Sequence, residues 1–482
     1  MKKRRNTSNY RENSGKYEIF IYIIISVILM CLIASFLFFY KFKIDKVNNN
    51  NNMYSEAISL IENSGDVEME EALNYARPEK LETEDESNIS GDDTEYSIYE
   101  SASDMTDTEM LSGETTNGEV DTDNAESSAN TESGGDSCFF YPNNNSNITA
   151  SGDNSYIINN DSDEITITFA GDILFAEGYA IMANIRNSGG TIEGVIDTEL
   201  LNEMRNSDLF MVNNEFPYST RGTATENKTW TFRADPLSAQ LLLDMGVDIV
   251  SIGNNHIFDY GEDALEDTLN TLNNIKMPYV GAGEDLEDAS KIVYYETSSK
   301  IKLAFISGCD IEGSEPPLTR AATDSLSGVF RTRDDSLLCE RVREAKENGA
   351  FVICYMHWGI ESTTNLNYIQ TQQAKDLATA GCDLIIGDHP HVLQSFDYVD
   401  GVPVIYSLGN FLFNSKTIDT GLLQVVVDKD GVDTIKFIPA IQKKSSVSIA
   451  TGSEKERIIS YLQGLSENVY IDSEGFITRK ND

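Results

Sequence analysis

The sequence predicts an α/β fold built as a layered sheet with helices on its faces, and three observations support it. Short apolar runs alternate with amphipathic helical stretches after residue 164. Most of these runs are continuously apolar, as expected of strands covered on both sides. Residues with metal or acid–base chemistry fall at the carboxyl ends of the runs, where α/β folds gather their ligands.

Residues 165–171, ITITFAG, form the first expected strand, which alternates polar and apolar residues and ends in glycine. SDLFMVN (207–213) is the next. PLSAQLLLDMG (236–246) reads as a helix, with proline at its start and glycine after its end. VDIVSIG (247–253) is a buried strand and GEDALEDTLNTLNNI (261–275) an amphipathic helix. KIKLAFISG (300–308) and AFVICYMHW (350–358) are strands on either side of the helix SLLCERVREAKENG (336–349). The helix YIQTQQAKDLATAG (368–381) leads into the strand CDLIIGD (382–388). VPVIYSLGN (402–410) and GLLQVVVD (421–428) are further strands.

Five segments are expected: a basic tail (1–18), a transmembrane helix (19–40), an acidic disordered stalk (41–163), the α/β domain (164–441) and a polar C-terminal tail (442–482). Residues 19–40 carry no charge and are long enough to span about 30 Å of hydrocarbon. Lys2, Lys3, Arg4, Arg5, Arg11 and Lys16 precede them, which places the N-terminus in the cytoplasm and the domain outside. A cleaved signal peptide is the rival, disfavoured by the length of the apolar run and the lack of a small-x-small site. Residues 55–75 have weak helical spacing. The net charge of −43 argues against nucleic acid as a partner. Residues 81–164 hold 22 acidic residues and no Lys or Arg, too polar to offset chain entropy by burial. The six cysteines show no metal-type spacing, and no disulfide is expected.

The chain has only four histidines. All of them lie at strand ends: His256 in NNH, His357 before Trp358, and His389 and His391 in DHPH. Asp172, Asn214, Glu215, Asn254, Asn255, Asp388 and Asn410 end other strands or stand beside these histidines. Mixed nitrogen and oxygen donors of this kind suit one or two divalent cations, with Mn, Fe and Zn the ions such ligands serve. The proline of His-Pro-His restricts the turn that carries both imidazoles. A serine triad is disfavoured, because no G-x-S-x-G elbow occurs.

The motifs FAGDILF, NNEFPYS, SIGNNHIFDYG, YMHWGIE, IIGDHPHVLQ and VIYSLGNFLF, in this order over residues 165–413, resemble the CapA family. These capsule-synthesis proteins are linked to bacterial poly-γ-glutamate production and share the calcineurin-like metallophosphatase fold, a layered β-sandwich flanked by helices. The resemblance implies that Asn255, His357 and His389 hold one ion, that Asp172 and His391 hold the other, and that Glu215 bridges them. It makes His256 a general acid or oxyanion stabiliser, oriented by Asp259. Asn254, Trp358, Glu361 and Asn410 would line the pocket. Three departures from an ordinary phosphatase stand out. Leu174 occupies the place of a histidine ligand, Glu215 that of an aspartate, and Asp388 precedes the His-Pro-His turn. They favour a mononuclear or weakly dinuclear site.

The resemblance thus implies a membrane-anchored protein for synthesis, export or attachment of an anionic polymer such as poly-γ-glutamate, in a membrane complex with a polymer synthase. Two other readings stay open: a cell-surface metal-dependent phosphoesterase, and a binding scaffold of the same fold without chemistry.

Overall fold

The computed structural model describes residues 147–311 and 319–480. The basic tail, the apolar span 19–40, the segment 55–75 with its weak helical spacing and the stalk through residue 146 lie outside the described residues. Among the described residues, no helix is long and apolar enough to cross a membrane.

Two eight-stranded sheets dominate the described residues. One runs, edge to edge, Ile148–Gly152, Ser155–Ile158, Val293–Thr297, Lys302–Cys309, Phe351–His357, Leu384–Asp388, Val402–Ile405 and Phe396–Val399. The other runs Ser446–Ile449, Gly431–Lys443, Ile418–Asp428, Glu164–Ile173, Leu209–Asn214, Ile249–Ser251 and Tyr279–Val280, and Asn410–Leu412 also pairs with Glu164–Ile173. The central strands of each sheet are parallel.

Alternation along the strands sorts their side chains into three apolar layers. Ile165, Ile167, Phe169, Leu209, Met211 and Ile249 of one sheet share a buried cluster with Phe305, Ile353, Tyr355, Leu384 and Ile386 of the other. The opposite faces pack on helices. Phe210, Val212 and Val250 meet Leu200, Leu242 and Leu269. Ala304, Ile306, Val352 and Cys354 meet Leu338, Val342 and Leu377. Burial on both faces explains the continuously apolar strands. The whole is a mixed α/β sandwich consistent with a metallophosphatase-like fold.

The expected helices form at Gln240–Met245, Glu262–Asn274, Ser336–Glu347 and Tyr368–Ala380. The last begins with a capping box between Asn367 and Gln370 and stops at Gly381, whose φ is +105°.

Both predicted boundaries of the domain need correction. Residues 148–158, assigned to the stalk, form a hairpin whose second strand runs parallel to Val293–Thr297. Ile158 is buried in the layer between the sheets. Residues 442–480, assigned to a polar tail, complete the Gly431–Lys443 strand and then form Ser446–Ile449, the helix Gly452–Leu465 and the hairpin Val469–Ile471/Ile477–Arg479. The helix buries Ile458, Ile459 and Leu462 in the central cluster. Its few apolar positions among polar neighbours carry little signal until that cluster exists to receive them.

Leu462→Ala is therefore expected to cost about 2–5 kcal/mol of folding stability in urea unfolding. A loss under ~0.5 kcal/mol, as for a surface change, would contradict this packing.

Candidate metal centre

The site lies at the carboxyl ends of the central strands, where the layer between the sheets turns from apolar to polar. His357 continues the inward series Ile353, Tyr355, and Asp388 continues Leu384, Ile386. Asn213 follows Leu209 and Met211 in the same way. Asp172, Asn213, Glu215 and His357 are all fully buried.

Two overlapping groups of donors form there: Glu215 with His357 and His389, and Glu215 with Asp172 and His391. Within each group, the donor atoms lie within 4.8 Å of one another. In the first, Asn255 Oδ1, His389 Nδ1 and Glu215 Oε1 stand 2.8, 3.2 and 3.5 Å from His357 Nε2. In the second, His391 Nδ1 is 3.0 Å from Asp172 Oδ2 and 2.7 Å from Asn410 Oδ1. Asn213 Nδ2 donates to Asp172 Oδ1 at 2.8 Å. His389 and His391 have φ of +96° and +58°. Such left-handed backbone costs roughly 1–3 kcal/mol per residue away from glycine, and here it belongs to the turn that carries both imidazoles into the groups.

Both carboxylate oxygens of Glu215 are buried without a hydrogen-bond partner. Burial, followed by the charges of Asp172 and Asp388, pushes its pKa well up. Burial pushes His357 down to about 3 and His389 well below its usual value, so both imidazoles are neutral and able to ligate. For Asp172, burial pushes upward, but the hydrogen bond and charge of His391 outweigh it and the pKa is lowered. For His391, burial pushes downward, yet the Asp172 bond and charge leave it raised. An unpaired buried carboxylate ringed by neutral imidazoles and amide oxygens fits one or two divalent cations.

Beside these groups, His256 Nδ1 donates to Asp259 Oδ2 at 2.7 Å. That bond leaves Nε2 on the side of Glu215, 3.9 Å from Oε1. Phe232 lies against the imidazole at 4.3 Å between ring centres and donates its backbone N–H to Asp259 Oδ2 at 2.7 Å. The Lys228 ammonium, nearly buried, pairs with Asp259 Oδ1 and donates to the Asn255 carbonyl. Burial is the main reason that the His256 pKa is lowered, with Asp259 opposing.

The structure thus brings together Asp172, Glu215, Asn255, His256, Asp259, His357, His389, His391 and Asn410. Asn254 braces the loop instead of lining a pocket. Its amide donates to Asn213 Oδ1 and the Asn214 carbonyl, and its Oδ1 accepts from the backbone of His256 and Ile257. Trp358 is a correction. Alternation turns its ring to the helix-covered face, where it is fully buried and donates to the Tyr406 carbonyl at 2.9 Å. Glu361 is exposed, and its charge reaches Glu215 and His391. Leu174 is buried in an apolar cluster on the helix-covered side. Asp388 lies behind the site, with one oxygen bonded to the Tyr355 hydroxyl and its pKa raised by burial and Asp172. Sequence reasoning missed Lys228, Phe232 and Asn213 as parts of the site. The first two sit in a loop with no strand-end signal, and Asn213 looked like an ordinary end of strand.

A sandwich with this donor cluster at its carboxyl edge defines a metallophosphatase-like protein with a candidate metal centre. Within that class, the chain belongs to the bacterial capsule synthesis protein family PGA_cap, whose profile matches residues 166–415. It is 28% identical over 302 residues to the PGA biosynthesis protein CapA of Bacillus subtilis, covering 62% of this chain and 77% of that one. It is 28% identical over 314 residues to the capsule biosynthesis protein CapA of Bacillus anthracis, covering 63% and 74%. A probable polyglutamine synthesis accessory protein of Mycobacterium tuberculosis is 26% identical over 214 residues, covering 42% and 55%.

Glu215→Gln, which keeps the shape and removes the buried charge, is expected to leave the metal-free melting temperature at least as high as wild type. It should also remove the rise that added Mn²⁺ gives wild type. A large metal-free loss would contradict this. A cation must displace the protons that raised pKa values hold on Glu215 and His391, so Mn²⁺ affinity should fall as pH drops from 8 to 6. The slope is up to about tenfold per pH unit for each proton displaced. His357 and His389, neutral throughout, add nothing to it. Calorimetry across that range checks this, and a flat affinity would contradict it.

Proposed function

We propose that this chain acts in the synthesis, export or attachment of an anionic capsular polymer of the poly-γ-glutamate kind. In this reading a single N-terminal span anchors it, the domain works outside the membrane, and a polymer synthase is its partner in a membrane complex. Membership of the capsule synthesis family and the names carried by the Bacillus relatives support the polymer. The uncharged run at residues 19–40 and the basic residues before it support the anchor.

The observation that carries the role of the site is the unpartnered Glu215 carboxylate between two donor groups. Asp172, Asn255, His357, His389 and His391 would hold divalent cation with it. A bound cation would supply electrostatic attraction for a carboxylate or phosphate oxygen, and would acidify a bound water. The chain's own residues do the rest. Asp259, pinned by Lys228 and the Phe232 N–H, fixes the His256 ring so that Nε2 faces the site. From there Nε2 can accept a proton from a nucleophile or, once protonated, donate one to an oxyanion. This array favours chemistry over a passive scaffold, and keeps a metal-dependent phosphoesterase as the second reading.

Gene deletion with complementation tests the proposal. Loss of surface polymer on deletion, restored by wild type but not by His389→Ala or His256→Ala, is expected. Undiminished polymer in the deletion strain would overturn the polymer role. Release of phosphate or alcohol from a panel of phosphate esters by the purified protein, abolished in His256→Ala, would favour the phosphoesterase.

A further inference from the structure

We infer that Asn410 is a ligand: its side-chain carbonyl completes the Asp172–Glu215–His391 group, which no second imidazole serves. The inference rests on the metal reading of the site proposed above and adds a residue to it. All four histidines are accounted for: His357 and His389 belong to the other group, and His256 is bonded to Asp259. Leu174, two residues after Asp172, is buried among apolar side chains and offers no donor. The second group therefore has only carboxylates and His391 unless another residue joins it.

Asn410 stands at that place, 1% exposed. Its strand pairs in parallel with Glu164–Ile173, and the register sets Asn410 directly opposite Asp172. Two glycines allow the approach. A side chain at Gly171 would lie 1.8 Å from the Gly409 carbonyl, which accepts the Asp172 N–H at 3.0 Å. Gly409 itself has a φ of +64°, which turns the chain so that the next residue enters the site. Asn410 Oδ1 is then 2.7 Å from His391 Nδ1, which is 3.0 Å from Asp172 Oδ2. Bonds of about 2.1 Å place neighbouring donors around one cation ~3 Å apart, and both of these separations from His391 Nδ1 are of that size. The other group repeats the pattern, with the Asn255 Oδ1 amide oxygen 2.8 Å from His357 Nε2. Each group then has one amide oxygen and at least one imidazole, and the two share Glu215. A neutral amide in place of a further imidazole makes the Asp172 group the harder, more oxygen-rich of the two, suited to Mn²⁺ or Mg²⁺ over Zn²⁺.

Titration of the metal-free full-length protein with MnCl₂ tests the assignment, comparing wild type with Asn410→Ala and Asn410→Asp by calorimetry and by the EPR signal of free Mn²⁺. Asn410→Ala should weaken one Mn²⁺ site by more than ~100-fold, beyond the 10–100-fold typical of a residue that only orients a ligand. Asn410→Asp, which keeps an oxygen donor of similar reach, should bind within about tenfold of wild type and serves as the test if the alanine variant does not fold. A loss below ~100-fold in a folded alanine variant, or a greater loss in the aspartate variant, would overturn the ligand role and leave the metal reading standing. A wild-type protein that takes up no Mn²⁺ would overturn both.

Discussion

The buried carboxylate of Glu215 is the constraint around which the rest of the centre is organised. Neither oxygen has a protein hydrogen bond, and Asp172 and Asp388 add negative charge nearby. Without a cation such a group must take up a proton or leave a buried charge uncompensated, at a cost of several kcal/mol. The surrounding residues suit the other outcome. The imidazoles of His357 and His389 are held neutral by burial, and amide oxygens face the same space. The strained His-Pro-His turn is understandable in these terms, since its two histidines serve different groups on either side of Glu215.

What holds the donors there is the parity of the strands. The side-chain alternation that fills the layer between the sheets with Ile353, Tyr355, Leu384 and Ile386 delivers His357 and Asp388 one step further along. The site is therefore a continuation of the core, and its rigidity comes from apolar packing below it. Asp388 and the Tyr355 hydroxyl form the floor; the hydroxyl donates to the Ala170 carbonyl at 2.8 Å across the sandwich, and its oxygen also lies against the Asp388 carboxyl group. Ser251 and Ser307 meet across the two sheets in the same way, at 2.8 Å. His256 is held by a different route, through Asp259, Lys228 and the Phe232 loop, so the acid–base group and the metal ligands rest on separate supports.

Much of this could be read from the sequence, because strand ends and histidines are local features. Each histidine followed or ended an apolar run, and the α/β rhythm indicated that these ends would meet. The sense of a side chain at a strand end was harder. His357 and Trp358 are adjacent, and only the strand's orientation shows that the imidazole enters the site while the indole joins the core under the helices. Lys228 was hidden for another reason: its meaning depends on Asp259 and Asn255, more than 25 residues away. The ends of the domain were misjudged because the apolar residues of 148–158 and 442–480 are scattered among polar ones and form no long apolar run. Those that enter the core, Ile158, Ile458 and Leu462 among them, become interpretable only against the central layer they complete.

The most direct test of the central claim is a crystal structure of the protein soaked in MnCl₂, with anomalous differences used to locate the ions. The account predicts two peaks flanking the Glu215 carboxylate about 3.5–4 Å apart, one beside His357 and His389 and the other beside Asp172 and His391. No peak at Glu215, or ions bound only at surface carboxylates, would contradict it.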